Sequence, residues 1–385
     1  MERVVLAYAG GLVDAAVPWL AETCHAEVIA VTLDLGQGRD LASVRQRALG
    51  AGCVRAHVMD VRAEFADRYI LPALQAGAIY EGAYPLGTAL SRPLIASKLV
   101  EIARIEGATL IAHGCPGHDN DRVRLDLSVR ALEPSFRVIA AARAMGLTRR
   151  PELNADVNLW GRAIRGGVLD DPWVEAPADV YAITADPAAC PPRAAYVEVA
   201  FERGVPTAIN GVPMPLIDII GSLGTIAGNH GVGRIDMVED QLVGTKSREI
   251  YEAPAAVVLH QAHGALESVV LPRDLARVKH DLAREYADLV YNGLWYSPLR
   301  DAIDTFVTKT QTHITGTVRI KLFAGTSTVV GRTSPFALSE DTPQPGHGTD
   351  GIDRESAEGF INVRGLFAET LSRRRHHAGN PAGTV

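Results

Sequence analysis

The first residues of the chain constrain its fold most. A β-branched run, Arg3-Val4-Val5-Leu6-Ala7-Tyr8, passes directly into the glycine turn Ala9-Gly10-Gly11-Leu12-Val13-Asp14-Ala15. Apolar Val17, Trp19 and Leu20 follow, so a helix is expected from Val13 onward. A strand that enters a helix through glycines presents backbone N–H groups and a helix N-terminus to an anion. The hydroxyls that would complete such a phosphate cradle are absent: Ala9 and Ala15 carry methyls, and Asp14 places a negative charge in the first turn. An acid at that position stabilises a helix whether or not a ligand arrives, so helix capping is the plain structural reading of Asp14.

The same unit recurs along the N-terminal part. Glu27 to Asp34 reads as a second strand, Asp40 to Ala51 as a helix and Val54 to Met59 as a third strand. A long helix is expected after Pro93, with Leu94, Ile95, Leu99, Ile102 and Ile105 at helical spacing, and Thr109 to His113 and Phe136 to Ala140 read as further strands. Apolar strands alternating with helices predict an α/β domain, a doubly wound parallel sheet covered on both faces. Ligands of such sheets bind beyond the carboxyl ends of the strands. The loops Ala9 to Ala15, Asp34 to Gly38 and His113 to Asp121 fit that position.

From about Leu159 the texture changes to strand pairs (Tyr196 to Phe201, Thr317 to Phe323, Ser327 to Arg332) mixed with helices such as Pro272 to Val290. This predicts a second, α+β domain, and Leu366 to Arg375 reads as a short amphipathic helix before a tail rich in glycine and proline. The expected boundaries are 1–150, 151–365 and 366–385. A chain of 385 residues is long enough for more than one core.

Charge and composition exclude some functions. A formal net charge of -7 argues against broad nucleic-acid binding, and the basic run Arg373 to His377 reads as a solvated tail. No apolar run approaches the length of a membrane span and no signal segment follows Met1, so a cytoplasmic protein is expected. Cys24, Cys53, Cys115 and Cys190 lack disulfide or metal spacing and read as reduced thiols. His113, Cys115 and His118 fall within six residues, but His113 and Cys115 read as a strand end, and no metal site is expected. Gly244-Thr-Lys-Ser247 is not a Walker loop, since it lacks the preceding glycine.

The glycine turn resembles the pyrophosphate loop of the argininosuccinate synthases, Ser-Gly-Gly-Leu-Asp-Thr-Ser. The resemblance covers nearly the whole chain. Tyr84-Pro-Leu-Gly-Thr-Ala-Leu-Ser-Arg-Pro93 and His113-Gly-Cys-Pro-Gly-His-Asp-Asn-Asp-Arg-Val-Arg124 are similar to two further family segments. Matches continue at Asn158 to Arg162, Val168 to Trp173, His230 to Arg234, Gly244 to Arg248 with Tyr251, and Ala357 to Ile361.

The resemblance implies an adenine nucleotide alpha-hydrolase-like domain followed by an α+β synthetase domain and a C-terminal helix through which copies assemble as a homotetramer. It implies a C–N ligase in which ATP, with Mg, activates the ureido oxygen of citrulline as an adenylate and the amine of aspartate displaces AMP. Carried over by position, Ala7, Tyr8, Ala9, Gly10, Gly11 and Asp14 face the nucleotide, with Asp34, Gly36 and Gln37 at the adenosine and Gly114 and Gly117 in close backbone approach. Tyr84, Thr88, Arg92, Asn120, Arg124, Asn154, Glu239 and Tyr251 stand at the citrulline-like ligand. Arg124 would read its carboxylate and Glu239 its ammonium. Pro116, Asn120 and Asp121 stand at the aspartate-like ligand, with Asp121 and Asn120 as the catalytic pair.

The departures from the family pattern are concentrated at the ligands. Val13 replaces an aspartate, Ala89 and Ala163 replace serines, Asn154 a serine, Pro116 a threonine and His118 a lysine, and only Ala141 to Leu153 bridges a longer family segment. Losing the loop hydroxyls is expected to weaken pyrophosphate binding by roughly 4 kcal/mol, since a hydrogen bond to a charged group contributes about 1.5 to 3 kcal/mol. Two readings stay open: a ligase on altered substrates with impaired ATP binding, and an ATP-independent homologue that binds an amino acid or an argininosuccinate-like adduct.

Overall fold

The computed structural model of the chain describes residues 2–38, 40–115, 120–146, 153–338 and 354–378. Strands β1 (Glu2–Ala7), β2 (Ala26–Asp34), β3 (Arg55–Asp60), β4 (Leu110–His113) and β5 (Arg137–Ala140) form a parallel sheet in the order β3-β2-β1-β4-β5. The order reverses between β1 and β4. Alternate residues of β1 go to opposite faces, Val5 into one core and Val4 and Leu6 into another, and all are buried. That two-sided burial is why these strands read as unbroken apolar runs. Helices Ala16–Cys24 and Leu41–Gly50 cover one face through Val17, Leu20, Val44 and Ala48. Helix Gly87–Glu106 covers the other through Leu90, Leu94 and Leu99.

Two antiparallel sheets follow within the same compact unit, which extends to Ala337. One has the order β11-β12-β7-β6, with β6 (Asn154–Asn158), β7 (Gly161–Arg165), β11 (Arg234–Asp240) and β12 (Lys246–Glu252). The other runs β10-β9-β8-β13-β14, with β8 (Ala195–Glu202), β9 (Val205–Ile209), β10 (Val212–Pro213), β13 (Gly316–Phe323) and β14 (Thr326–Thr333). Helix Pro254–Val270 packs on β13 and β14. A separate unit begins at Leu338, and its described part is the helix Arg354–Ala378, longer at both ends than the expected Leu366 to Arg375.

Two helix starts differ from expectation for local reasons. The helix after β1 begins at Ala16, because residues Gly11–Asp14 first make one tight 3-10 turn. The long helix begins at Gly87, so Pro93 lies inside it. Proline removes one helical N–H, and the first turn is held instead by the Tyr84 hydroxyl, which accepts from the N–H of Thr88 at 3.0 Å and of Ala89 at 3.4 Å. Trp160 pins this turn to the second sheet by donating from Nε1 to the carbonyl of Pro85 at 2.8 Å.

Candidate functional site

The loops after β1, β2 and β4 meet over a cleft of about 400 Å³ at the point where the strand order reverses. One wall comes from Ala7, Tyr8, Ala9, Val13, Gln37, Leu41, Val44, His113, Gly114 and Cys115. The facing wall comes from Arg92, Asp121, Asn154, Asp156 and Arg165. Gly10, Asp14, Asp34 and Gly36 shape these loops and are not among the residues that line the cleft. Pro116, Gly117 and His118 lie outside the described residues.

Asp14 does not cap the following helix. One carboxylate oxygen accepts from the Tyr8 hydroxyl and the other meets Arg47 Nη2 at 2.7 Å. A phenol and a guanidinium within reach offer charge-assisted bonds stronger than those of a solvated N–H. Asp34 is likewise turned to its own loop: Oδ1 accepts from the N–H of Gly36 at 2.9 Å and Oδ2 lies 3.4 Å from Arg62 Nε. Gly36 has φ +90°, and a Cβ there would stand 3.0 Å from the Leu159 nitrogen. Leu159 donates to the Leu35 carbonyl at 2.6 Å, so the glycine lets the segment after β6 close on the loop after β2. Gln37 braces the same loop from within, accepting from Leu35 N–H at 2.6 Å and donating to the Leu33 carbonyl at 2.7 Å.

Val13 stands over Gly114, where an added Cβ would lie 2.6 Å from Val13 Cγ2. An apolar contact therefore occupies the place of a family carboxylate. His113 has both ring nitrogens engaged: Nδ1 accepts from the N–H of Cys115 at 3.2 Å, and Nε2 therefore carries the proton it shares with Asp126 at 2.9 Å.

Beside the cleft, a smaller cavity gathers Tyr84, Thr88, Asn120, Arg124, Ala163, Glu239, Glu249 and Tyr251, and it shares Asp121, Asp156 and Arg165 with the cleft. Residues from the first helix layer, β7, β11 and β12 thus converge at one point. Glu239 is buried and accepts from the hydroxyls of Tyr251 at 2.6 Å and Tyr291 at 2.7 Å. Burial raises its carboxyl above the ordinary glutamate range, partly offset by those hydroxyls and by Arg124. The Tyr251 ring stacks on Tyr84 with centroids 4.1 Å apart.

Arg124 is 3% exposed. Its Nε donates to the Tyr291 carbonyl at 2.8 Å and its Nη1 to Asp121 at 3.0 Å, while Nη2 has no hydrogen-bond partner among the described residues. Asp121 also meets Arg92 at 2.8 Å and Arg165 at 3.6 Å. Burial by itself would raise the Asp121 carboxyl, but Arg92, Arg165 and Arg124 outweigh it and hold the group well below the usual carboxylate range. Asp121 is a fixed anion rather than a proton carrier at neutral pH. Arg92 holds Asp156 of β6 at 2.6 Å as well as Asp121 at 2.8 Å, tying β6 to the helix Asn120–Leu132.

Both polar atoms of Asn120 have protein partners: Nδ2 donates to the Tyr291 hydroxyl at 2.9 Å and Oδ1 accepts from Leu242 N–H at 3.1 Å. Arg92 and Asn154 line the large cleft, whereas Tyr84, Thr88, Asn120, Arg124, Glu239 and Tyr251 of the expected citrulline group line the smaller cavity. Sequence reasoning missed Tyr291, Asp156, Arg165 and Arg47. Tyr291 closes an amphipathic helix and reads as core, and the other three acquire partners only across elements.

The parallel sheet, the cleft at its switch point and the ring of charges beside it define a HUP-type nucleotide-binding domain joined to a synthetase domain. Residues 3–157 match the arginosuccinate synthase N-terminal HUP domain and residues 153–371 the arginosuccinate synthase C-terminal domain. The argininosuccinate synthase of Symbiobacterium thermophilum is 47% identical over 95% of this chain and 96% of its own. Those of Gloeobacter violaceus (48% identical over 95% and 97%) and Oceanobacillus iheyensis (46% over 96% and 94%) are similar to the same extent. The chain belongs to the argininosuccinate synthase family.

Proposed function

We propose that this chain is a C–N ligase that joins a citrulline-like ureido amino acid to an aspartate-like amine at the expense of ATP. The ureido oxygen attacks the α-phosphorus and pyrophosphate leaves; the amine then attacks the ureido carbon, AMP leaves and the amine gives up a proton. The observation that carries the reading is Arg124, buried with Nη2 unpartnered, in one cavity with the Glu239 carboxylate. A cation and an anion there complement the carboxylate and ammonium of an amino acid. The Arg92, Arg124 and Arg165 cluster favours anionic groups at the junction with the nucleotide cleft.

Ala163 on the cavity wall and Asn154 on the cleft wall support a ureido ligand whose polar groups differ from those of citrulline. Mg²⁺ would arrive on the nucleotide phosphates: among the described residues no group of three or more His, Cys, Asp or Glu side chains could hold it unaided. Assembly through the helix Arg354–Ala378 is supported by exposed Phe360, Ile361, Val363, Leu366 and Phe367. A domain boundary near residue 150 is supported by the change from parallel to antiparallel sheets. No helix among the described residues is long and apolar enough to cross a membrane.

The test is calorimetry with ATP and magnesium, followed by pyrophosphate release with pairs of ureido and amine amino acids. Release with citrulline and aspartate, or with a close analogue of either, supports the proposal. No ATP affinity below millimolar and no release with any pair overturns it in favour of the ATP-independent reading. The methyl side chains of Ala9 and Ala15, at the positions where the loop would offer hydroxyls to the phosphates, are the observation that favours that second reading.

A further inference from the structure

The glycine loop has lost its hydroxyls, yet a cation stands over it. Arg47 belongs to the helix Leu41–Gly50, and Leu41 and Val44 of the same helix line the nucleotide cleft. Residues spaced by three lie on one face of a helix, so Arg47 continues that wall outward from the cleft. Its guanidinium reaches the turn itself: a Cβ built on Gly10 would lie 3.4 Å from both Cζ and Nη1 of Arg47. Gly10 has φ +77° and begins the 3-10 turn, the segment whose N–H groups would face an anion.

The acid in this loop is compensated rather than free to repel. Asp14 receives Arg47 Nη2 on one oxygen and the Tyr8 hydroxyl on the other, so the loop carries a neutral pair where sequence reading put an uncompensated negative charge. A guanidinium has five N–H donors in a planar fork. The contact with Asp14 uses Nη2 alone, which leaves a second edge that the same fork can turn to a phosphate.

We infer that Arg47 is the phosphate-binding residue of this loop, taking the place of the missing hydroxyls, and that Asp14 and Tyr8 are positioning residues that hold its guanidinium over Gly10. The inference rests on the ATP-dependent reading above and assigns the residue that makes the altered loop serviceable. Arg47 is half exposed and Asp14 a third exposed, so their mutual contact is a weak one and orientation is its main effect.

The experiment is titration calorimetry of the full chain with magnesium ATP, magnesium pyrophosphate and AMP, alongside thermal melts. Arg47→Ala is expected to weaken ATP and pyrophosphate about tenfold to a hundredfold, the loss of one hydrogen bond between charged groups. AMP affinity and the melting temperature stay near wild type. Arg47→Lys should recover part of the loss. Asp14→Asn keeps a hydrogen-bonding side chain while removing the charge, so it should hold or tighten pyrophosphate. Should Arg47→Ala bind pyrophosphate like wild type, or should both substitutions lower the melting temperature together while leaving affinity unchanged, the pair is a structural rivet and the inference is overturned. A wild-type chain that binds neither ATP nor pyrophosphate overturns the ATP-dependent reading itself.

Discussion

Replacing Arg124 by lysine tests the amino-acid grip most directly. The guanidinium makes one hydrogen bond to the Tyr291 carbonyl at 2.8 Å, one ion pair with Asp121 at 3.0 Å, and stacks over the Tyr291 ring at 4.6 Å. Lysine keeps the charge but is a single point of donation, so the carbonyl loses its partner. Asp121 is not orphaned, since Arg92 remains at 2.8 Å and Arg165 at 3.6 Å. The expected stability cost is therefore that of one buried hydrogen bond to a charged group, about 1.5 to 3 kcal/mol, rather than that of a stranded carboxylate. On the ligand side, the free Nη2 and its neighbour read a carboxylate in two-pronged fashion, and an ammonium does not. That loss raises the KM for the ureido amino acid about tenfold to a hundredfold. The carboxylate is remote from the reacting ureido group, so kcat should change much less than KM, the pattern of lost uniform binding. The assay is steady-state pyrophosphate release with the ureido substrate varied at saturating ATP and amine. An unchanged KM in a folded Arg124→Lys enzyme refutes the assignment, and so does a loss confined to the ATP KM.

Three further outcomes follow from the same geometry. Glu239→Gln should cost about 1 to 3 kcal/mol and raise the ureido-substrate KM, because Tyr251 and Tyr291 donate to different oxygens of the carboxylate and glutamine sets an NH2 donor against one of those hydroxyls; wild-type kinetics and urea midpoint together would contradict this. Asp121 is held below the ordinary aspartate range by Arg92, Arg165 and Arg124 against its burial, so it contributes stability above that range and loses it as pH falls toward its folded value. Asp121→Asn should thus be less stable than wild type at neutral pH, with the two stability curves converging in acid, and curves that stay parallel would count against the charge cluster. Glu252 is fully buried and receives Arg162, the Thr184 hydroxyl and the N–H groups of Ala182, Ile183 and Thr184. Glu252→Gln is expected to lower unfolding stability by about 3 to 5 kcal/mol, as for a broken buried ion pair, and a change under about 1 kcal/mol in urea melts would overturn that reading.

Much of the frame was legible in the chain. Strands β1 and β2 are buried on both faces, and continuous runs of Val, Ile, Leu and Ala record that directly. The carboxyl-end loops follow from parallel strands, and the cleft lies where they meet. Tyr84, Arg124, Glu239 and Tyr251, placed together by resemblance to one family, do share a cavity. The helix start at Gly87 was not legible, because Pro93 suggests a beginning and the cap that replaces it is a tyrosine hydroxyl from the preceding turn.

What only the tertiary structure decided is which charges meet. In sequence, Asp14 looks like a helix cap and Asp34 like a ligand contact; in the fold, Arg47 and Tyr8 claim the first, and Gly36 and Arg62 the second. Arg92 looks like one contact of a citrulline site, yet it bridges Asp121 and Asp156 from different sheets' surroundings. Burial patterns and turns are written in neighbouring residues, since periodicity and backbone preference act over a few positions. An ion pair across 33 residues, such as that of Asp14 with Arg47, exists only after the strand and helix between them have packed, because its energy depends on distance in space rather than along the chain.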